Sequence, residues 1–228
     1  MPRRPQKRVK SAKPSRKVSP PQPNGDDVKL LNSSDLRKVN KLRRLEGKPP
    51  INIKPVIKAF SEYMRKTGTV IKKYGLRTLP EWVDSMLQHV KSDHEDSWMF
   101  AVRNGTALAF TSCEVMKVDF RTSRHTRDGQ ATMPPFIYIS NVCSVEKGLG
   151  KRTLDLLIKQ QLARLRVAKV RGAITVMLNF TAASDYLGAY YTNMGFQKLE
   201  KRDSFRLSSY AKAIEDSVHR VVMYKNFG

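Results

Sequence analysis

The stretch "SVEKGLGKRTLDLL", residues 144–157, decides how this chain reads. It follows "FIYISNVCS", residues 136–144, a run rich in β-branched and aromatic residues that reads as a buried strand. It leads into apolar positions Leu154, Leu157, Ile158, Leu162 and Leu165 at helical spacing, so a long helix is expected over residues 153–167. Between strand and helix stand Gly148 and Gly150. Backbone N–H groups left unpaired at a helix mouth, together with the helix dipole, form an anion site whose natural occupant is a phosphate. A glycine turn also serves simply to pack a helix on a strand, and the spacing alone leaves both readings open. A dinucleotide-binding fingerprint is excluded, because a third glycine is missing and the next strand, "ITVMLNF", does not end on an acid. The spacing to Gly-Lys-Ser/Thr also fails for a P-loop.

Working outward, "DVKLL" reads as a short strand. "SSDLRKVNKLRRLEG" reads as a helix capped by Ser33 or Ser34, with Leu36, Val39 and Leu42 on one face and Gly47 past its end. That spacing turns Arg37, Lys38, Lys41, Arg43 and Arg44 outward as a basic stripe. A second helix is expected over residues 54–66 and a third over "TLPEWVDSMLQHVK", opened by Thr78 and Pro80. The period then changes to that of strands. "SWMFAVRNGTALAFTSCEVMKV" is two strands joined by Asn104-Gly105, the strongest short hairpin signal. "GAITVMLNF" is a further strand, "SDYLGAYYTNMGF" a short helix ending at Gly195, and "FQKLEKR" and "HRVVMYKNF" are closing strands. The crossover through the long helix makes the strands around Ile139 and Val176 parallel. The expected fold is therefore α/β (α+β), a mixed, mostly antiparallel sheet flanked by helices. Residues 26–228 form one domain, with a basic helical insertion at about residues 48–78.

Charge narrows the partners. The chain has 228 residues, with 43 Lys and Arg against 20 Asp and Glu, for a net charge of +23. Residues 1–25 carry eight basic residues and no acid, are rich in proline, and read as a disordered tail. Taking that +8 from +23 leaves +15 on the body, so polyanions, nucleic acid above all, are the expected partners. No membrane-spanning run and no secretory pattern is visible. A soluble intracellular protein is expected, in the nucleus or a nucleic-acid-rich particle such as a virus particle. Cys113 and Cys143 lack disulfide or metal-ligand spacing and read as reduced, buried thiols, and no metal site is expected. "DHEDSW" reads as a solvated connection, and His89 and His219 as structural.

"VEKGLGKRTLDLLI", followed some 40 residues later by "AYYTNMGF" and then by a terminal strand, resembles the GCN5-related N-acetyltransferase (GNAT) superfamily. The resemblance covers element order over most of the chain and motif detail over residues 136–196. The family's Gln/Arg-x-x-Gly-x-Gly/Ala corresponds to Val145-Glu146-Lys147-Gly148-Leu149-Gly150, with Val145 where the family has Gln or Arg and a loop about two residues short. It implies that the backbone amides there hold the pyrophosphate of acetyl-coenzyme A, the co-substrate. Lys147, Lys151 and Arg152 can add positive charge, or serve only as solvated surface. Ser184 stands where many members have Asn. The family's splayed fourth strand corresponds to residues 140–143, with the Val142 N–H a candidate oxyanion donor. Tyr191, on the family's tyrosine, is the candidate proton donor to the leaving thiolate, or else a core residue.

Acyl transfer to an amine also needs a way to take a proton from the ammonium. Glu114, which interrupts an apolar run, and His125, in the loop before the fourth strand, are both candidates; an outward-facing strand residue would look the same. Two functions stand side by side. One is an acetyl-coenzyme A-dependent N-acetyltransferase with an unidentified amine acceptor. The other is a catalytically attenuated protein of the same fold that binds or packages nucleic acid.

Overall fold

The structure, a computed structural model, describes residues 27–66, 79–117, 134–181, 185–200, 203–214 and 220–228. The basic tail, His125, Ser184 and His219 lie outside the described residues.

Seven strands form one sheet in the order β1 (Lys29–Asn32), β2 (Trp98–Arg103), β3 (Thr106–Met116), β4 (Phe136–Ser144), β5 (Ile174–Thr181), β7 (Arg220–Phe227), β6 (Gln197–Lys198). Every neighbouring pair is antiparallel except β4 and β5, which are parallel as the crossover requires. The sheet is thus mixed and mostly antiparallel, with helices on both faces. β2 and β3 turn through Asn104 and Gly105 at φ +51° and +75°, the two positive values of a type I′ turn, whose twist suits a tight hairpin.

Side-chain alternation divides the core between the two faces. On one face Ile137, Ile139, Val176 and Leu178 pack against Leu154, Leu157, Ile158, Leu162 and Leu165 of α4 (Leu149–Val167) and against Tyr191 of α5 (Asp185–Asn193). On the other, Phe100 and Phe110 pack against Val56, Ile57 and Phe60 of α2 (Lys54–Lys66) and Val83, Met86 and Val90 of α3 (Leu79–Ser92). Phe60 meets Phe110 edge-on at 5.4 Å, a favourable aromatic geometry. No helix among the described residues is long and apolar enough to cross a membrane.

Several expectations need correction. α1 (Ser33–Leu45) is capped by Asn32, not by a serine: the Asn32 side chain accepts from the Asp35 amide at 2.8 Å. Ser33 is buried inside the helix and donates to the Asp93 carboxylate, while the Ser34 amide donates to Asp96 Oδ1 at 2.8 Å. The acid-rich segment before β2 is therefore a clasp on the first turn of α1 rather than a solvated connection. Leu42 is exposed because α1 meets the sheet only through its first turns, where Ser33 and Leu36 are buried. Arg43 is turned inward: its Nε donates to the Pro49 carbonyl at 2.7 Å and its guanidinium lies against Gly105. α4 begins at Leu149, four residues earlier than expected, since Leu149 is itself buried against Ala101 and Ala109 and anchors the first turn. A further helix, α6 (Phe205–Ile214), was not anticipated. Leu207, Tyr210, Ala211 and Ile214 at helical spacing cover Phe136, Met177 and Val222, with Tyr210 stacked on Phe136 at 4.4 Å. The strand after Gly195 shrinks to the two residues of β6.

Candidate active site

The centre of the sheet is open on one side of β4. β5 pairs with β4 at only three positions, Ile137 with Val176, Tyr138 with Met177 and Ile139 with Leu178. β3, by contrast, stays paired with β4 as far as Ala109 and Ser144. The register shifts where Ser112 faces Asn141 and Cys113 faces Ile139, so Ser140 is the extra residue of a bulge. A bulge bends its strand. Beyond it, residues 140–144 diverge from β5 and leave a gap between two strands that were parallel neighbours. The Val145 amide donates to the Leu108 carbonyl at 2.9 Å on β3. Backbone groups alternate along a strand, so Cys143 also addresses β3, while the N–H and C=O of Val142 face the gap.

The glycine turn lies at the end of this gap. Gly148 precedes the first helical residue at φ +87°, a conformation that glycine adopts without a Cβ penalty. Leu149 N–H bonds back to the Glu146 carbonyl at 3.4 Å, and Arg152 N–H to that of Gly148 at 3.3 Å. The amides of Lys147, Gly148, Gly150 and Lys151 have no acceptor among the described residues. They form the cluster of outward donors at a helix N-terminus that attracts an anion. Gly150 has a second role, because a Cβ there would lie 3.3 Å from the Ser144 Cβ and 3.8 Å from the Val142 Cγ1. Lys147, Lys151 and Arg152 are exposed and make no ion pair with a described residue. Val145 is exposed, and its amide, spent on β3, adds nothing to the anion site.

Tyr191 packs on β5 beyond its pairing with β4. Its ring packs against Phe180 of β5 at 6.0 Å, past the last residue of β5 that pairs with β4, and against Tyr190 and Phe196 at 5.1 and 5.8 Å. The side chain is 6% exposed, and its hydroxyl has no hydrogen-bond partner among the described residues. Burial, with the neighbouring phenols of Tyr190, Tyr63 and Tyr186 adding to it, pushes its pKa well above that of a free phenol. At neutral pH it carries its proton.

The face opposite α4 is polar at the same level. Ser112 Oγ and Ser140 Oγ lie 2.9 Å apart, and Asn141 Nδ2 donates to Ser112 Oγ at 2.7 Å. This seam separates the aromatic cluster under α2 and α3 from the one under α6. Glu114 is exposed on β3 opposite Tyr138, four positions along β4 from Val142, or about 13 Å at a strand's rise per residue. The structure does not bring it to the gap. Cys143, half-buried, has its thiol pushed up to about 11 by burial and stays protonated. Across the opening, Tyr186 of α5 donates to the Tyr63 hydroxyl of α2 at 3.1 Å. The positive-φ glycine before α4 and the end of the paired part of β4 fall where the sequence pattern put a strand-turn-helix joint. The seam was not legible in the sequence, because a bulge register leaves no mark on residue spacing.

No protein-family model matches this chain, and no curated protein matches it in sequence. Solved structures align with it over most of its length. A GNAT-family acetyltransferase from Staphylococcus aureus aligns over 88% of this chain and 99% of its own, with a TM-score of 0.46 and 14% identity. For one from Listeria monocytogenes the shares are 88% and 94%, the TM-score 0.44 and the identity 12%. For the PaiA N-acetyltransferase of Thermoplasma acidophilum, solved with coenzyme A, they are 88% and 99%, 0.45 and 10%.

Proposed function

We propose that this chain transfers an acetyl group from acetyl-coenzyme A to an amine. The observation that supports this best is the gap itself: an extended arm entering beside β4 finds a free strand edge at Val142, an anion site at one end and an unpartnered phenol on β5 beyond its pairing with β4. The four free amides from Lys147 to Lys151 take the pyrophosphate. The amine attacks the thioester carbonyl, and the Val142 N–H receives the charge that develops on oxygen. As the C–S bond breaks, Tyr191 gives its proton to the thiolate. The Ser112, Ser140 and Asn141 cluster offers the polar groups nearest Val142 through which the ammonium of the acceptor passes its proton to solvent.

The acceptor is, or rides on, nucleic acid in this reading. Arg37, Lys38, Lys41 and Arg44 are exposed on α1, and Lys159, Arg164 and Arg166 on α4, within a body of net charge +15. Such a surface repels free polycations and attracts phosphates. It supports a location in the nucleus or a nucleic-acid-rich particle. A second reading, an attenuated enzyme that binds or packages nucleic acid, draws support from Val145, whose apolar side chain and spent amide weaken the anion site.

The test is a calorimetric titration of acetyl-coenzyme A into the purified protein, then an acceptor screen that follows thiol release. Saturable binding with turnover supports the enzyme, and binding without turnover on any amine supports the attenuated form. Absence of binding sinks the enzyme and leaves only the form that binds nucleic acid.

A further inference from the structure

The glycine turn contains one acid, Glu146, next to the first of the free amides. A bare carboxylate there would oppose any phosphate that those amides attract. It is not bare. Arg103, the last residue of β2, meets it through both guanidinium nitrogens, Nη1 to Oε1 at 3.2 Å and Nη2 to Oε2 at 2.5 Å. This forked geometry is the strongest form of such a pair, and the two side chains are only 24% and 36% exposed, so solvent screens it incompletely. The position of Arg103 is set by the Asn104-Gly105 turn that follows it, and the same hairpin holds the Val145 amide through Leu108.

We infer that Arg103 is a positioning residue for the phosphate site: acting through Glu146, it holds and cancels the one negative charge in the turn. The inference rests on the coenzyme A reading above. It predicts an asymmetry that a simple brace does not. Removing the arginine leaves an unpaired carboxylate beside the phosphates, whereas removing the charge of the glutamate leaves nothing to cancel.

The experiment is a double-mutant cycle on the full chain, with coenzyme A affinity as readout and thermal melting as the check on folding. Arg103→Ala should weaken coenzyme A about tenfold, or ~1.4 kcal/mol. Glu146→Gln should leave affinity within about twofold of wild type or improve it, and the double variant should recover most of the loss. The deficit of Arg103→Ala should also shrink as salt is raised. If Arg103→Ala does not fold, Arg103→Gln with and without Glu146→Gln gives the same comparison. Equal losses from both single changes without recovery, or a flat cycle, overturn the inference while coenzyme A still binds the wild type. A wild type that binds no coenzyme A removes the reading and the inference together.

Discussion

The two ends of the gap are made of different material. At the α4 end the functional groups are backbone amides, and the side chains matter mainly by being absent, as at Gly148 and Gly150. On the face away from α4 they are side chains, Ser112, Ser140 and Asn141, held together by their own hydrogen bonds. A site made of backbone demands particular backbone conformations and close approaches, which restrict the sequence to glycine and so mark it. A site made of short polar side chains imposes no such restriction. Under the proposed function the first end would meet the constant pyrophosphate, and the second would vary with the acceptor.

The sharpest way to break this division is Tyr191→Phe. It is expected to lower turnover about a hundredfold, within the range for a lost general acid, with coenzyme A affinity unchanged within about twofold. Thermal stability should hold or rise, since an unpartnered buried hydroxyl costs roughly 1–3 kcal/mol. A loss of stability, or turnover at the wild-type rate, returns Tyr191 to a packing role. Next in size is Gly150→Val, whose Cβ alone would lie 3.3 Å from the Ser144 Cβ. Coenzyme A affinity should fall about thirtyfold, with roughly 1–3 kcal/mol of stability lost to overpacking. Titration calorimetry and denaturant melts separate the two effects, and unchanged affinity in a folded variant leaves Gly150 with packing alone.

Asn141→Ala probes the other end. It should raise the acceptor KM about tenfold once an acceptor is found and leave coenzyme A binding untouched; a shift in cofactor affinity instead would blur the distinction between the ends. The mildest effect lies outside both. Deleting residues 1–25 should make the salt dependence of duplex binding shallower without abolishing binding, each lost phosphate contact changing the log-log slope by about 0.9. Binding that ignores salt in the full chain would separate the basic surface from nucleic acid altogether.

The legible parts of the fold were those in which local chemistry and tertiary structure agree. Asn104-Gly105 demands positive φ twice and receives it, and the apolar spacing in α4 has one face to bury. Where a distant residue decided the outcome, local reading fell short. Ser33 looked like a cap, but Asp93, sixty positions away, draws its hydroxyl and leaves the cap to Asn32. The α6 pattern was present in Leu207, Tyr210, Ala211 and Ile214, yet its serines and short length hid it until Phe136 and Val222 supplied a surface. In the site, the glycines and Tyr191 stood out because each sits in a spaced pattern. Arg103 and Glu146, forty-three positions apart, and the bulge at Ser140 belong to strand register, which no single segment encodes.

The parallel seam between β4 and β5 is three residue pairs long, whereas β5 and β7 share eight. In mechanical terms the sheet is two leaves joined by a short hinge, β1 to β4 on one side and β5, β7 and β6 on the other. The paired end of that seam is also held by shared packing under α4 and α6, whereas the open end has no strand partner. Amide hydrogen exchange should register this as a gradient along β4, slow at Ile137 and Ile139 and fast at Val142 and Ser144, because only the former share a ladder with both neighbours. A ligand that lies along Val142 would act as the missing length of strand and flatten that gradient, so the protein would become a continuous sheet only when loaded.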